Sequence, residues 1–101
     1  MNFGLDTEDI KLINAVFAAH PAVQEVIIFG SRAMGNYKPG SDIDLVVKGE
    51  NVKHKDILDI CLGLDALDTL YTFDLQRFDG IKDPDVLDHI KRVGKQFYKK
   101  K

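Results

Sequence analysis

With 101 residues, 45% apolar and 30% charged, the chain can build one hydrophobic core but not a second substrate-binding domain, so a single domain over residues 1–101 is expected. A formal net charge of −2 lacks the basic balance that holds nucleic-acid phosphates, which argues against nucleic acid as the main partner. One cysteine excludes an intramolecular disulfide, and without a leader pattern or an apolar run of membrane-spanning length the expected location is the cytoplasm, with no membrane partner.

Residues 7–19 read as a helix, with Thr7 as the cap, Glu8 and Asp9 in the first turn, and Ile10, Ile13, Val16 and Phe17 as an apolar stripe. Pro21 stops it, and His20 beside the stop reads as a helix-end residue, because no second His, Cys or carboxylate lies at ligand spacing. Val23 to Phe29 is a strand ending at Gly30, where the absent Cβ lets the backbone turn sharply. Ser31 is then placed to cap a short helix to about Gly35, and to offer its amide and hydroxyl to an anion. The composition of Asn36-Tyr37-Lys38-Pro39-Gly40 is that of a tight return. A second strand covers Asp42 to Lys48, antiparallel to the first because the connection is short.

Asp42 and Asp44 alternate with Ile43, so on a strand both project to one side with Cα atoms roughly 7 Å apart. Carboxylates that close repel each other unless a cation sits between them, and hard divalent ions take one or two carboxylates plus substrate phosphates. A bare Asp-x-Asp is also what a solvated loop presents.

Residues 53 to about 68 read as a second long helix, with Ile57, Ile60, Cys61, Leu64 and Leu67 at helical spacing. Cys61 is then a small core residue, and His54 faces water. Tyr71 to Phe78 is a third strand, parallel to the second because its connection contains a helix. Tyr71, Phe73 and Leu75 share one face and Thr72, Asp74 and Gln76 the other, so by alternation alone Asp74 belongs either to a solvated face or beside Asp42 and Asp44. Asp83-Pro84 opens a last helix with a stripe of Val86, Ile90, Val93 and Phe97 and with His89 solvated; Lys95, Lys99, Lys100 and Lys101 follow as favourable charge at its C-terminus. The order is αβαβαβα: an α/β fold with a small mixed sheet of three to four strands and helices mainly on one face.

The run Gly30-Ser31, ten residues, then Asp42-Ile43-Asp44, set between two apolar runs, resembles the minimal nucleotidyltransferases of the DNA polymerase β superfamily, whose signature has that spacing. Phe29, Arg32, Ala33, Gly35, Ser41, Ile43 and Leu45 fit the pattern too, and the element order extends the likeness over nearly the whole chain. The resemblance implies that Asp42, Asp44 and Asp74 are catalytic residues that hold two Mg²⁺ ions, or Mn²⁺ in their place, with Asp74 as the third acidic ligand. It implies that Gly30 and Ser31 grip the triphosphate of ATP or another NTP; from position, Arg32 and Lys38 add charge near it. Where the family often carries a second basic residue this chain has Met34, so fewer phosphate contacts are expected there.

The function implied is transfer of AMP from ATP to a hydroxyl, with the chain as the antitoxin half of a toxin-antitoxin pair and a small helical HEPN-type protein as partner. Two alternatives stand beside it: a non-catalytic module that neutralises or scaffolds a helical partner by contact, and nucleotidyl transfer to a small molecule. Homo- or hetero-oligomerisation stays open.

Overall fold

The computed structural model describes residues 3–38, 40–67, 69 and 71–101. Pro39 of the expected return and Asp68, the expected end of the second long helix, lie outside the described residues.

The first helix, α1 (Thr7–Ala18), buries Ile13 and Phe17 from its apolar stripe. Its cap position is Asp6, one residue before the expected Thr7, and no side chain bonds the cap. The strand β1 (Glu25–Phe29) runs into the short helix α2 (Gly30–Met34), and β2 (Ile43–Lys48) returns antiparallel to it, pairing Phe29 with Asp44 and Glu25 with Lys48. Gly30 is already the first residue of α2 and Phe29 its cap, so Ser31 lies inside the helix and does not cap it.

The helix α3 (His54–Asp65) follows; the Asp56 carboxylate accepts from the Lys53 amide at 2.8 Å, closing its first turn. The strand β3 (Phe73–Arg77) then pairs parallel to β2, as expected of a helical crossover. The helix α4 (Pro84–Val93) has Asp83 as its cap, accepting from the Asp85 amide at 2.9 Å, with Pro84 first inside it.

The largest departure from the expected elements follows α4. The helix stops at Val93 and residues Lys95–Lys99 form a fourth strand, β4, antiparallel to β1, giving a sheet of order β3-β2-β1-β4. Phe97 therefore belongs to a strand, and the lysine-rich tail is not helical. The helical spacing of Val86, Ile90, Val93 and Phe97 is interrupted at Gly94, where a Cβ would meet the Ile90 carbonyl and the Ile27 side chain: the chain turns there too tightly for any other residue. A bulge between Val26 and Ile27 lets both Phe97 and Tyr98 reach the same side, Phe97 beside the Phe3 ring at 6.1 Å and Tyr98 beside Phe17 at 5.8 Å.

Alternation along the central strands divides the core into two clusters. Val26, Ile28, Ile43, Leu45 and Val47 pack with Ile13 and Phe17 of α1 and with Ile57, Ile60 and Leu64 of α3. On the other face, Phe29 and Val46 pack with Ile90 of α4. Two of the long helices thus cover one face and α4 crosses the other. Cys61 is half-buried against the larger cluster, and burial, followed by the charges of Asp65 and Asp74, raises its thiol pKa, so it stays a protonated packing group. Among the described residues no helix is long and apolar enough to cross a membrane.

Candidate active site

The chain leaves β1 at Phe29 and turns at Gly30, whose φ of +72° is accessible to glycine with little strain. A Cβ at Gly30 would fall on the Asp44 carboxylate, so the turn and the acidic strand are in close contact because position 30 has no side chain. Ser31 is half-exposed in the first turn of α2.

Asp44 sits inside β2, paired with Phe29 on one side and, in the parallel ladder, with Asp74 on the other. Asp42 immediately precedes the strand, near enough for its charge to act on Asp44. Within the strand, Asp44 shares the face of Val46, the face that α4 covers further along. Asp42 and Asp74 are exposed and Asp44 is half-buried. Burial raises the Asp44 pKa, and the charges of Asp74 and then Asp42 raise it further, while His89 acts in the opposite direction. Asp74, which alternation left between two readings, therefore stands with the other two carboxylates. Among the described residues none of the three forms a salt bridge.

A donor set made only of carboxylate oxygens suits hard divalent cations, and the mutual repulsion felt at Asp44 is what such a cation would relieve. Among the described residues no three His, Cys, Asp or Glu side chains close into a ready-made cage. Mg²⁺ commonly binds one or two carboxylates and completes its shell with substrate phosphates and water.

The two basic residues expected near the triphosphate are placed differently from the acidic group. Arg32 turns inward: it is 4% exposed and donates from Nε and Nη2 to the Ser41 carbonyl at 3.2 and 3.0 Å and from Nη1 to the Phe3 carbonyl at 3.0 Å. Its guanidinium also lies 5.1 Å from the Tyr37 ring centroid and 5.5 Å from that of Tyr71. Three donors are thus engaged by backbone carbonyls, and little of the guanidinium is exposed. Lys38 is exposed on the loop before β2, where its amide donates to Ser41 Oγ at 2.8 Å.

His89, expected to be solvated, is placed otherwise. It is half-buried on α4, its ring edge-on to Phe29 at 6.3 Å and 80°, and its charge is felt at Asp44. Position 89 adjoins Ile90 and lies three residues after Val86, so it flanks the buried stripe; that was the available signal. Among the described residues, the cavities of about 430 Å³ beneath α4 and about 500 Å³ beside Arg32 have other linings, and the exposed Asp42 and Asp74 open to solvent at the sheet end.

Residues 11–101 match the family described as polymerase beta, nucleotidyltransferase. No curated protein matches the chain. Among solved structures, it is similar to a chain of a toxin-antitoxin crystal structure with AMP-PNP, at 22% identity and TM-score 0.70 over 96% of this chain and 76% of that one. It is also similar to a chain in the complex of tri-AMPylated Shewanella oneidensis HEPN toxin with MNT antitoxin, at 19% identity and TM-score 0.67 over 95% and 74%. A third similarity is to a chain of the toxin-antitoxin MntA-HepT, at 19% identity and TM-score 0.66 over 94% and 74%. At these identities the likeness to the solved structures is one of fold.

Proposed function

The chain belongs to the polymerase beta nucleotidyltransferase family, and from that premise we propose that it moves AMP from ATP to a hydroxyl on a helical HEPN-type protein, acting as the antitoxin of that pair. The observation that carries the chemistry is the convergence of Asp42, Asp44 and Asp74 at one sheet end beside the Gly30 turn. The direction of the partner reading comes from neighbours of similar fold, one with AMP-PNP and one described as an AMPylated HEPN toxin with MNT antitoxin.

In this reading Asp42, Asp44 and Asp74 hold two divalent cations, Mg²⁺ or Mn²⁺. When bound, the cations neutralise charge on the triphosphate and make the attacking hydroxyl easier to deprotonate. Gly30 leaves the turn bare so that phosphate can approach the backbone, and Ser31 offers its amide and hydroxyl there. Lys38 adds charge from the loop. The acceptor oxygen attacks the α-phosphorus, its proton passes to Asp74, and the bond to the bridging oxygen breaks to release pyrophosphate. The protein's contribution is mainly orientation and charge compensation.

The exposure of Asp42 and Asp74 at the sheet end supports a macromolecular acceptor that approaches from outside the chain. A partner presenting a tyrosine hydroxyl over that end supplies the missing wall. Incubation with labelled ATP, Mg²⁺ and a helical HEPN-type protein is expected to raise that partner's mass by one or more AMP units. Asp42→Asn and Asp44→Asn are expected to abolish the gain while leaving the fold intact. A partner that binds tightly, gains no mass and is neutralised equally by both variants would replace transfer by contact inhibition.

A further inference from the structure

We infer that Arg32 is a positioning residue that aims Asp42 and Asp44, an inference that rests on the metal-dependent reading above. Its Nε and Nη2 both close on one oxygen, the carbonyl of Ser41, which is the residue immediately before Asp42. The next peptide is held from the other side, where the Ile43 amide donates to the Thr72 carbonyl at 2.8 Å. Asp42 lies outside the strand ladder, and these two attachments fix the backbone on either side of it.

The clamp reaches beyond the loop. Arg32 Nη1 takes the Phe3 carbonyl, so the same guanidinium ties the N-terminal segment to the start of β2, across 29 residues of sequence. That segment is anchored in turn: Phe3 packs against Phe97 of β4, and the Tyr37 ring covers Gly4 so closely that a Cβ there would overlap it. Tyr37 and Tyr71 each present a ring to the guanidinium. The loop is braced internally as well, since Lys38 and Ser41 exchange hydrogen bonds, amide to Oγ at 2.8 Å and amide to carbonyl at 2.9 Å. A planar fork can hold one carbonyl from two nitrogens and a second carbonyl from a third; an ammonium is a point donor without that fixed geometry. Arg32 is the one charged side chain buried among the described residues, and all its hydrogen bonds go to backbone.

The test compares wild type with Arg32→Lys and Tyr37→Ala in the full chain. It measures Mn²⁺ affinity in the presence of ATP, ATP affinity in chelator, and amide exchange at residues 42–44 without metal. Arg32→Lys is expected to weaken Mn²⁺ binding about 10- to 100-fold, the range for outer-shell partners of metal ligands. It should also speed exchange at residues 42–44 while ATP affinity in chelator stays unchanged. Tyr37→Ala, at a more exposed site, should shift the same two readouts in the same direction by less, and it serves if Arg32→Lys fails to fold. Weaker ATP binding in chelator with unchanged Mn²⁺ affinity would make Arg32 a phosphate ligand and overturn the inference. A lower melting temperature with unchanged Mn²⁺ affinity and exchange would overturn it in favour of general packing. Wild type that binds ATP equally with and without Mn²⁺ would sink the metal-dependent reading instead, and exchange at residues 42–44 would still report on the clamp.

Discussion

The ionised carboxylate of Asp44 works against the folded chain, because burial and the charges of Asp74 and Asp42 raise its pKa above the ordinary 3.8. A raised carboxyl pKa means that the folded state binds the proton more tightly than the unfolded state. The destabilisation is therefore complete above the folded pKa, declines as pH falls through it, and is gone below 3.8, where both states are protonated. Asp44→Asn is thus expected to raise the melting temperature of the metal-free protein at neutral pH, with the gain disappearing as pH approaches 3.8. In Mg²⁺ and ATP the order should reverse, since wild type gains stability from a ligand the variant has lost the means to hold. Thermal melts at two pH values, with chelator and with Mg²⁺-ATP, check both halves. Gly30→Ala should fail differently: it puts a side chain at φ +72° and a Cβ onto the Asp44 carboxylate. A loss on the order of 1–3 kcal/mol from backbone strain is expected, together with loss of metal-dependent ATP binding. Denaturant unfolding beside calorimetry measures the two effects on one preparation.

Among the elements, β4 is the one whose identity changes the stability argument. Phe97 is buried against Phe3, so Phe97→Ala is expected to cost about 3–5 kcal/mol, the usual range for a core aromatic, and urea unfolding measures it. β4 is also an edge strand, paired to β1 alone in the sheet order, and it carries exposed Lys95 and Lys99. Charged residues on an edge discourage pairing with another chain. Replacing both lysines with valine is accordingly expected to promote self-association with little change in unimolecular stability, which sedimentation at rising concentration would reveal. The tail's charge therefore has a sheet-edge role in place of the helix-end role its composition suggested.

On the scale of the whole molecule, the sheet gathers residues from separate parts of the chain at one end: Gly30 after β1, Asp42 and Asp44 at the start of β2, and Asp74 in β3. Three carboxylates there make triphosphate binding unfavourable without a cation between them. Calorimetry should therefore find tighter ATP binding with Mg²⁺ or Mn²⁺ than in chelator; equal affinities would remove the metal from the account. The partition of the core reinforces the arrangement, since α1 and α3 occupy one face while Asp44 lies on the other, the face of Val46 that α4 covers further along.

The Gly-Ser turn, the acidic pair and the alternation of β2 and β3 were legible in sequence, because strand period and glycine's freedom act over neighbouring residues. The parallel placement of Asp74 beside Asp44 was also reachable, since a helical crossover returns a strand in the same direction. What tertiary structure decided was whatever depended on groups distant in the chain. Val86, Ile90, Val93 and Phe97 keep helical spacing, and the helix ends because Gly94 is pressed against Ile27 and the open edge of β1 offers Phe97 a strand. Arg32 is charge beside the Gly-Ser turn in sequence, and the carbonyls of Phe3 and Ser41 and two tyrosine rings meet around it only in the folded chain. His89 looked solvated until α4 laid it against Phe29, near Asp44. Local periodicity determines which faces are apolar; burial by remote elements determines which polar groups are drawn inward and what they then hold.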